Sequence, residues 1–241
     1  MKIEGLQKLT LLDYPEKVAC TIFTGGCNFR CPFCHNASLV IGNRGNVVPI
    51  DSQKTGEYTE EEILAFLRKR KGVLDGVCVT GGEPLLQPDL EAFIRKVKEM
   101  GYLVKLDTNG SFPEKLKSLA GQGLLDYVAM DIKNCLPKYG QTIGIEDYDT
   151  APVEESAAFL MEGSLPYEFR TTVTRELHTE EDMYRIRDWI GGASAYYLQQ
   201  FVDSGDVIRS GLHACDDETM KRWETILREK IPGVSLRGMD G

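Results

Sequence analysis

No apolar run in the 241 residues approaches the roughly 20 needed to cross a bilayer, and the N-terminus has no charged-then-apolar leader pattern. Those absences predict a cytoplasmic protein whose thiols stay reduced. Excess positive charge is missing as well. The formal net charge is −9, with acidic residues spread along the chain, which argues against a nucleic-acid partner that would require a basic face. The one basic knot, Arg68-Lys69-Arg70-Lys71, closes an expected helix and complements the negative end of its dipole. There is no low-complexity tract and no internal repeat. Cysteines number seven, an odd count that suits a disulfide framework poorly. What remains is an ordinary globular composition, and a length fitting one α/β domain, 1–241, with a substantial core.

Three of the cysteines are concentrated. Cys27, Cys31 and Cys34 stand within eight residues as C-x3-C-x2-C, in the stretch Gly25-Gly26-Cys27-Asn28-Phe29-Arg30-Cys31-Pro32-Phe33-Cys34-His35-Asn36. The apolar run Val18 to Phe23 before them reads as a buried strand, so a loop delivers soft ligands at its end. Thiolates select zinc or iron–sulfur clusters over hard cations. A closed zinc site or an ordinary iron–sulfur cube takes four protein ligands. The other cysteines, Cys20, Cys78, Cys135 and Cys215, are scattered singly, and the first two lie in strand-like runs where a small buried thiol is ordinary. Three ligands would leave one iron of a cube open to a substrate or cofactor. A zinc knot is the competing reading of the same thiols.

Periodicity lays out the remaining chain. Residues 1–17 read as mixed and turn-like. Strands are expected at Val18–Thr24, Gly76–Thr80, Tyr102–Leu106, Tyr127–Ile132, Tyr167–Val173 and Ala195–Phe201. Between them, Thr59 and Glu62 form a capping box that opens a helix, and further helices are expected at Asp89–Met100, Pro113–Ala120, Val153–Glu162 and Glu180–Ile190. A last helix lies near Asp217–Glu229 in a C-terminal extension that begins at about residue 202 and ends loosely. The stretch Ala37 to Tyr58 is irregular. It reads as an insertion beside the site mouth and a candidate surface for partner docking, a plain surface loop being the alternative. Six strands alternating with helices predict a parallel sheet with right-handed crossovers, as in a partial α/β barrel.

In parallel α/β barrels catalytic groups sit at the C-terminal ends of strands. The unusual peptides of this chain fall there. The cysteine loop follows the first expected strand, Gly81-Gly82-Glu83-Pro84 the second, Asp107-Thr108-Asn109-Gly110 the third, and Asp131-Ile132-Lys133 the fourth. Thr172 and Thr174 end the fifth, and Gln199-Gln200 lie in the sixth. Two glycines can bring bare backbone against a ligand. A carboxylate at Glu83 can meet an ammonium group, and Asp107, Thr108 and Asp131 offer oxygens. Arg170 alternates with Phe169, so in a barrel interior it would need a charged partner such as a bound carboxylate.

Gly-Cys-x3-Cys-x2-Cys-His-Asn after a first strand resembles the cluster loop of radical S-adenosylmethionine enzymes. The Cys-His-Asn ending and the opening Leu6 to Phe23 are similar to the glycyl-radical-enzyme activases, most of all to the anaerobic ribonucleoside-triphosphate reductase activating proteins. The resemblance runs from residue 1 to about Phe201. It implies a partial (β/α)6 barrel and a 4Fe–4S cluster on Cys27, Cys31 and Cys34, with S-adenosyl-L-methionine on the open iron. Phe33, Cys34 and His35 would then wall the adenine and methionine ends. Gly81, Gly82 and Glu83 would receive the methionine amino group. Asp107, Thr108 and Asp131 would hold a monovalent cation beside the methionine carboxylate, to which Lys133 adds a positive charge. The histidine common near the end of strand six is absent, and Gln200 would take its place. No side chain need act as acid or base. The implied partners are an anaerobic ribonucleotide reductase and a reduced flavodoxin or ferredoxin as electron donor. An activase of the pyruvate formate-lyase type, or a radical enzyme acting on a small molecule such as a deazapurine precursor, would share these motifs.

Overall fold

Strand formation begins earlier than the sequence pattern predicts. The computed structural model describes residues 1–41, 57–163, 165–203 and 205–239. In it β1, Ile3–Thr10, pairs antiparallel with β2, Ala19–Thr24. Gly5 and the polar pair Gln7-Lys8 break the alternation that would have revealed β1, and its register against β2 shifts twice. Ile3 and Leu6 are nevertheless buried, and Tyr58 bridges the outer side of β1 at Ile3.

The chain forms two compact units. The first comprises Met1–Asn28, Asn36–Thr108 and Glu114–Val128, the second Phe29–His35, Asn109–Pro113 and Ala129–Gly241. In the first, β2 continues in parallel to β3, Gly76–Gly81, and β3 to β4, Leu103–Thr108. Cys20, Ile22, Val77, Val79, Val104 and Leu106 are all buried, as expected where helices cover a parallel sheet. Its helices are α1, Ala37–Ile41, α2, Glu60–Lys69, α3, Leu90–Glu99, and α4, which starts at Pro113 and runs to Gly121. Both halves of the capping box at the start of α2 form, with the Glu62 N–H on Thr59 Oγ1 at 3.2 Å and the Thr59 N–H on the Glu62 carboxylate at 2.8 Å. Phe93, Ile94 and Val97 bury the apolar stripe of α3, and Gly101, at φ +80°, ends that helix.

Strand β5, Tyr127–Asp131, leads into the second unit. There β6, Tyr167–Val173, β7, Tyr196–Gln200, and β8, Val234–Arg237, lie side by side in parallel. The helices are α5, Tyr139–Ile143, α6, Ala151–Glu162, α7, Glu180–Trp189, and α8, Asp217–Arg228. After β5 a 3-10 turn leads into α5, held by Tyr139 packing on Phe29, Tyr148 and Trp189. One expectation is corrected here. The supposedly loose C-terminus carries β8, whose four residues are too few to show a period.

Strands and helices therefore alternate in a mostly parallel α/β arrangement, compatible with the expected partial barrel. The irregular insertion is partly ordered, since Ala37–Ile41 is helical and Tyr58 bonds to Ile3, while residues 42–56 lie outside the described residues. Among the described residues no helix is long and apolar enough to cross a membrane.

Candidate active site

In the first unit the site residues are built mainly from backbone. Strand β2 ends at Thr24, and the chain turns through Gly25, Gly26 (φ +87°) and Cys27. Strand β3 ends at Gly81 (φ +119°), and Gly82 and Glu83 then fold back onto that turn. The Gly82 N–H donates to Thr24 O at 2.9 Å and the Glu83 N–H to Gly26 O at 2.8 Å. A Cβ on Gly82 would fall 1.8 Å from Gly26 O, and one on Gly81 would fall 2.3 Å from Thr24 N. The two glycines are thus required by close approach of one backbone to another, a reason different from the ligand contact that the motif suggests. Asn36 completes the lock, its amide donating to Gly81 O at 3.2 Å.

Glu83 is wholly buried, not at an open edge. Its Oε1 accepts from the Leu85 N–H at 3.0 Å and from Thr108 Oγ1 at 2.9 Å. It therefore ties the end of β3 to the end of β4. Asp107 Oδ1 lies 3.6 Å from Lys105 Nζ and 3.8 Å from Cys78 Sγ. Lys105 is 2% exposed, donates to Asp13 O and lies 5.5 Å over the Tyr127 ring. Sequence reasoning missed Lys105, although a lone lysine between Val104 and Leu106 in an apolar strand was a readable signal. A buried ammonium requires partners, and the Asp107 carboxylate beside it is one of the predicted site residues.

In the second unit the site is built from charge. Asp131 ends β5, and Ile132 carries the chain to Lys133. Asp131 Oδ2 accepts from Lys133 Nζ at 2.8 Å, and Oδ1 accepts from Arg170 Nε at 2.9 Å. The charged partner expected for Arg170 is therefore this chain's own aspartate. Burial alone would raise the Asp131 pKa, but Arg170 and then Lys133 outweigh it and bring the carboxyl down to about 2. Burial likewise works against the Lys133 charge, yet Asp131 first and Cys31 second raise its pKa overall. Two cationic side chains thus already neutralise one of the oxygens' hosts predicted to hold a monovalent cation.

Cys31 and Cys34 close a tight turn, with the Cys34 N–H on Cys31 O at 3.0 Å. The Arg30 N–H anchors that turn to Ile143 O at 2.8 Å, beneath Gly144, where a Cβ would fall 2.6 Å from Arg30 O. Phe33 is buried between the Lys133 ammonium, 6.0 Å from its ring centre, and the His178 ring at 6.3 Å. His178 accepts the Thr174 N–H at Nδ1, so Nε2 carries the proton and donates to Lys133 O at 3.0 Å. Burial lowers the pKa of His178. The sequence reading missed this support for Lys133. His35 packs against Phe201 at 5.4 Å, and its pKa is lowered by burial and next by Lys133. Gln200 is engaged elsewhere, its amide donating to Cys215 O at 2.7 Å.

The donor chemistry fits an iron–sulfur group. None of the seven cysteines is in a disulfide, Cys27 and Cys34 are partly exposed, and soft thiolates are the ligands that such clusters take. Among the described residues no three His, Cys, Asp or Glu side chains gather as a ready-made metal site.

Residues 21–190 match the model of the radical SAM superfamily. A Methanocaldococcus jannaschii protein named as a glycyl-radical enzyme activating enzyme is 30% identical over 249 residues, covering 99% of this chain and 97% of that one. The pyruvate formate-lyase-activating enzyme of Listeria monocytogenes is 27% identical over 205 residues, which is 78% of this chain and 75% of that protein. Among solved structures, Streptococcus suis SuiB bound to its precursor peptide SuiA superposes with a TM-score of 0.67 at 14% identity, over 90% of this chain and 48% of that one. The last likeness speaks for the fold alone. The chain belongs to the radical SAM superfamily and, within it, to the glycyl-radical enzyme activating enzymes. It is an enzyme, and the family implies a 4Fe–4S cluster and S-adenosylmethionine as its cofactors.

Proposed function

We propose that this chain activates an anaerobic ribonucleoside-triphosphate reductase by placing a radical on a backbone glycine of that partner. The observation that carries the reading is the Lys133 ammonium, fixed by Asp131 and lying beside Cys31 and Phe33. It supplies a counter-charge for a carboxylate next to the cysteine turn. Cys27, Cys31 and Cys34 would hold the cluster. When bound, cluster and S-adenosylmethionine together supply a 5′-deoxyadenosyl radical that abstracts the glycine hydrogen atom. The side chains bind and orient. Lys133 meets the cofactor carboxylate, and Arg170 and Asp131 set its position. Phe33 and His35 offer apolar wall, while the Gly81–Glu83 turn fixes the backbone from which Cys27 projects. Asp107 and Thr108 complete the oxygen-rich strand end, where a monovalent cation is the further expectation. Reduced flavodoxin or ferredoxin is the electron donor of this reading, and the cytoplasm its compartment.

A pyruvate formate-lyase type of partner fits the relatives equally well, so the test compares both. Anaerobic protein is reconstituted with iron and sulfide, reduced and given S-adenosylmethionine, and 5′-deoxyadenosine is followed beside the glycyl radical signal. A radical on the ribonucleotide reductase supports the proposal. A radical only on the formate-lyase type replaces the partner. Deoxyadenosine with a radical on neither moves the chain to small-molecule chemistry, and no cleavage sinks the cofactor reading.

A further inference from the structure

The charges of the second unit continue beyond Asp131. Glu168 and Arg170 alternate with apolar neighbours on β6 and so share a sheet face. Register sets Arg170 beside Tyr197 on β7, and Tyr197 beside Ser235 on β8. Two residues further along β8, Arg237 lies back over Tyr197 with its guanidinium carbon 3.2 Å from the ring centre. Its two terminal nitrogens reach the two oxygens of Glu168 at 3.1 and 3.2 Å. Glu168 is wholly buried, and its Oε1 also lies 4.0 Å from Arg170 Nη1. Lys133, Asp131, Arg170, Glu168 and Arg237 thus alternate in sign along one chain of contacts.

Arg170 stands between two carboxylates, bonded to Asp131 through Nε and near Glu168 through Nη1. A buried carboxylate must be neutralised, and a guanidinium drawn to one acid is less available to another. Arg237 takes the neutralising role through a bidentate pair braced on an aromatic face, the geometry in which arginine is strongest. Building on the functional reading above, we propose that Arg237, by holding Glu168, is a positioning residue for the carboxylate end of S-adenosylmethionine. Arg237 satisfies Glu168, so Arg170 stays on Asp131 and Asp131 keeps Lys133 as the counter-charge. Neither need touch the cofactor.

Competition of this kind makes a prediction that plain packing does not. In Arg237→Gln, Glu168 turns to Arg170 and draws it from Asp131. Removing the Glu168 charge as well abolishes that pull. The measurement is the dissociation constant of S-adenosylmethionine for the full chain carrying its cluster, with an unfolding midpoint for each variant. Arg237→Gln should weaken binding about tenfold, the lower end of what outer-shell partners of a site carry. Glu168→Gln alone, and Glu168→Gln with Arg237→Gln, should bind within about threefold of the parent, a strongly non-additive cycle. Equal weakening in the single Arg237→Gln and the double variant would mean Arg237 serves structure only, and overturns the proposal. Unchanged binding in Arg237→Gln overturns it too. Should that variant not fold, Arg237→Lys keeps the neutralising charge, so binding there should stay within about threefold of the parent, and a tenfold loss overturns the proposal. A parent protein that carries its cluster yet fails to bind the cofactor defeats the functional reading itself, before any substitution is made.

Discussion

The turn Gly25–Cys27 with Gly81–Glu83 in the first unit and the Asp131–Lys133–Arg170 group in the second are held by different physics. The first is backbone on backbone. Two N–H groups donate across the turn, and the space between the strands' ends leaves no room for a methyl group. The second is side chain on side chain, with one carboxylate between two cations. Close backbone contact cannot adapt to added volume, yet it is indifferent to pH. A charge network tolerates small shifts of shape, but it depends on the protonation of one carboxyl. The two groups should therefore fail in two distinguishable ways.

The largest effect belongs to the backbone half. Gly82→Ala places a methyl against a carbonyl oxygen that no rotamer change can move, and should destabilise by about 3 kcal/mol, the upper range for overpacking. Denaturant unfolding measures it, and the loss should be the same at pH 5 and pH 8. A midpoint within error of the parent would mean the turn opens easily, and the contrast between the halves would disappear.

Asp131→Asn should cost less, about 2 kcal/mol. Breaking a fully buried pair is more expensive, but the Asp131 side chain keeps 30% of its exposure. Its pH signature is the sharper test. The folded carboxyl titrates at about 2, below its ordinary 3.8, so its stabilisation is present above 3.8 and is lost as pH falls from there toward 2. That acid limb should be shallower in Asp131→Asn and unaltered in Gly82→Ala. Superimposable limbs in parent and Asp131→Asn would remove Asp131 from the network.

The smallest effect is a control remote from both halves. Thr59→Ala removes a side-chain cap from α2 and should cost about 1 kcal/mol, leaving cofactor affinity untouched. Reduced affinity in this variant would show that destabilisation alone mimics loss of the site, and every affinity difference would then need correction for stability.

Much of this architecture was visible in the chain itself. The C-x3-C-x2-C spacing, the strand-end peptides and the helix cap at Thr59 are local, and each depends on residues only a few positions apart. Helices α2, α3, α7 and α8 were legible for the same reason, since each buries one periodic stripe. Strands β1 and β8 were hidden because pairing, not pattern, defines them: β1 is interrupted by Gly5 and Gln7-Lys8, and β8 is four residues long. The motif Gly81-Gly82-Glu83 was recognised, but the packing reason for its glycines was not. Nothing local says that Gly82 faces the Gly26 carbonyl or that Glu83 is sealed against Thr108.

By itself, then, the sequence narrowed the chemistry to a thiolate-held metal centre, because three thiols in eight residues can be read without coordinates. It also determined the alternation of strand and helix, because burial periodicity is local. Only the tertiary structure decided which charges meet. Asp131 and Arg170 are 39 residues apart, and Glu168 and Arg237 are 69 apart. Their encounter depends on how β5, β6, β7 and β8 lie side by side, which backbone hydrogen bonds between distant segments establish and which no short stretch of sequence encodes.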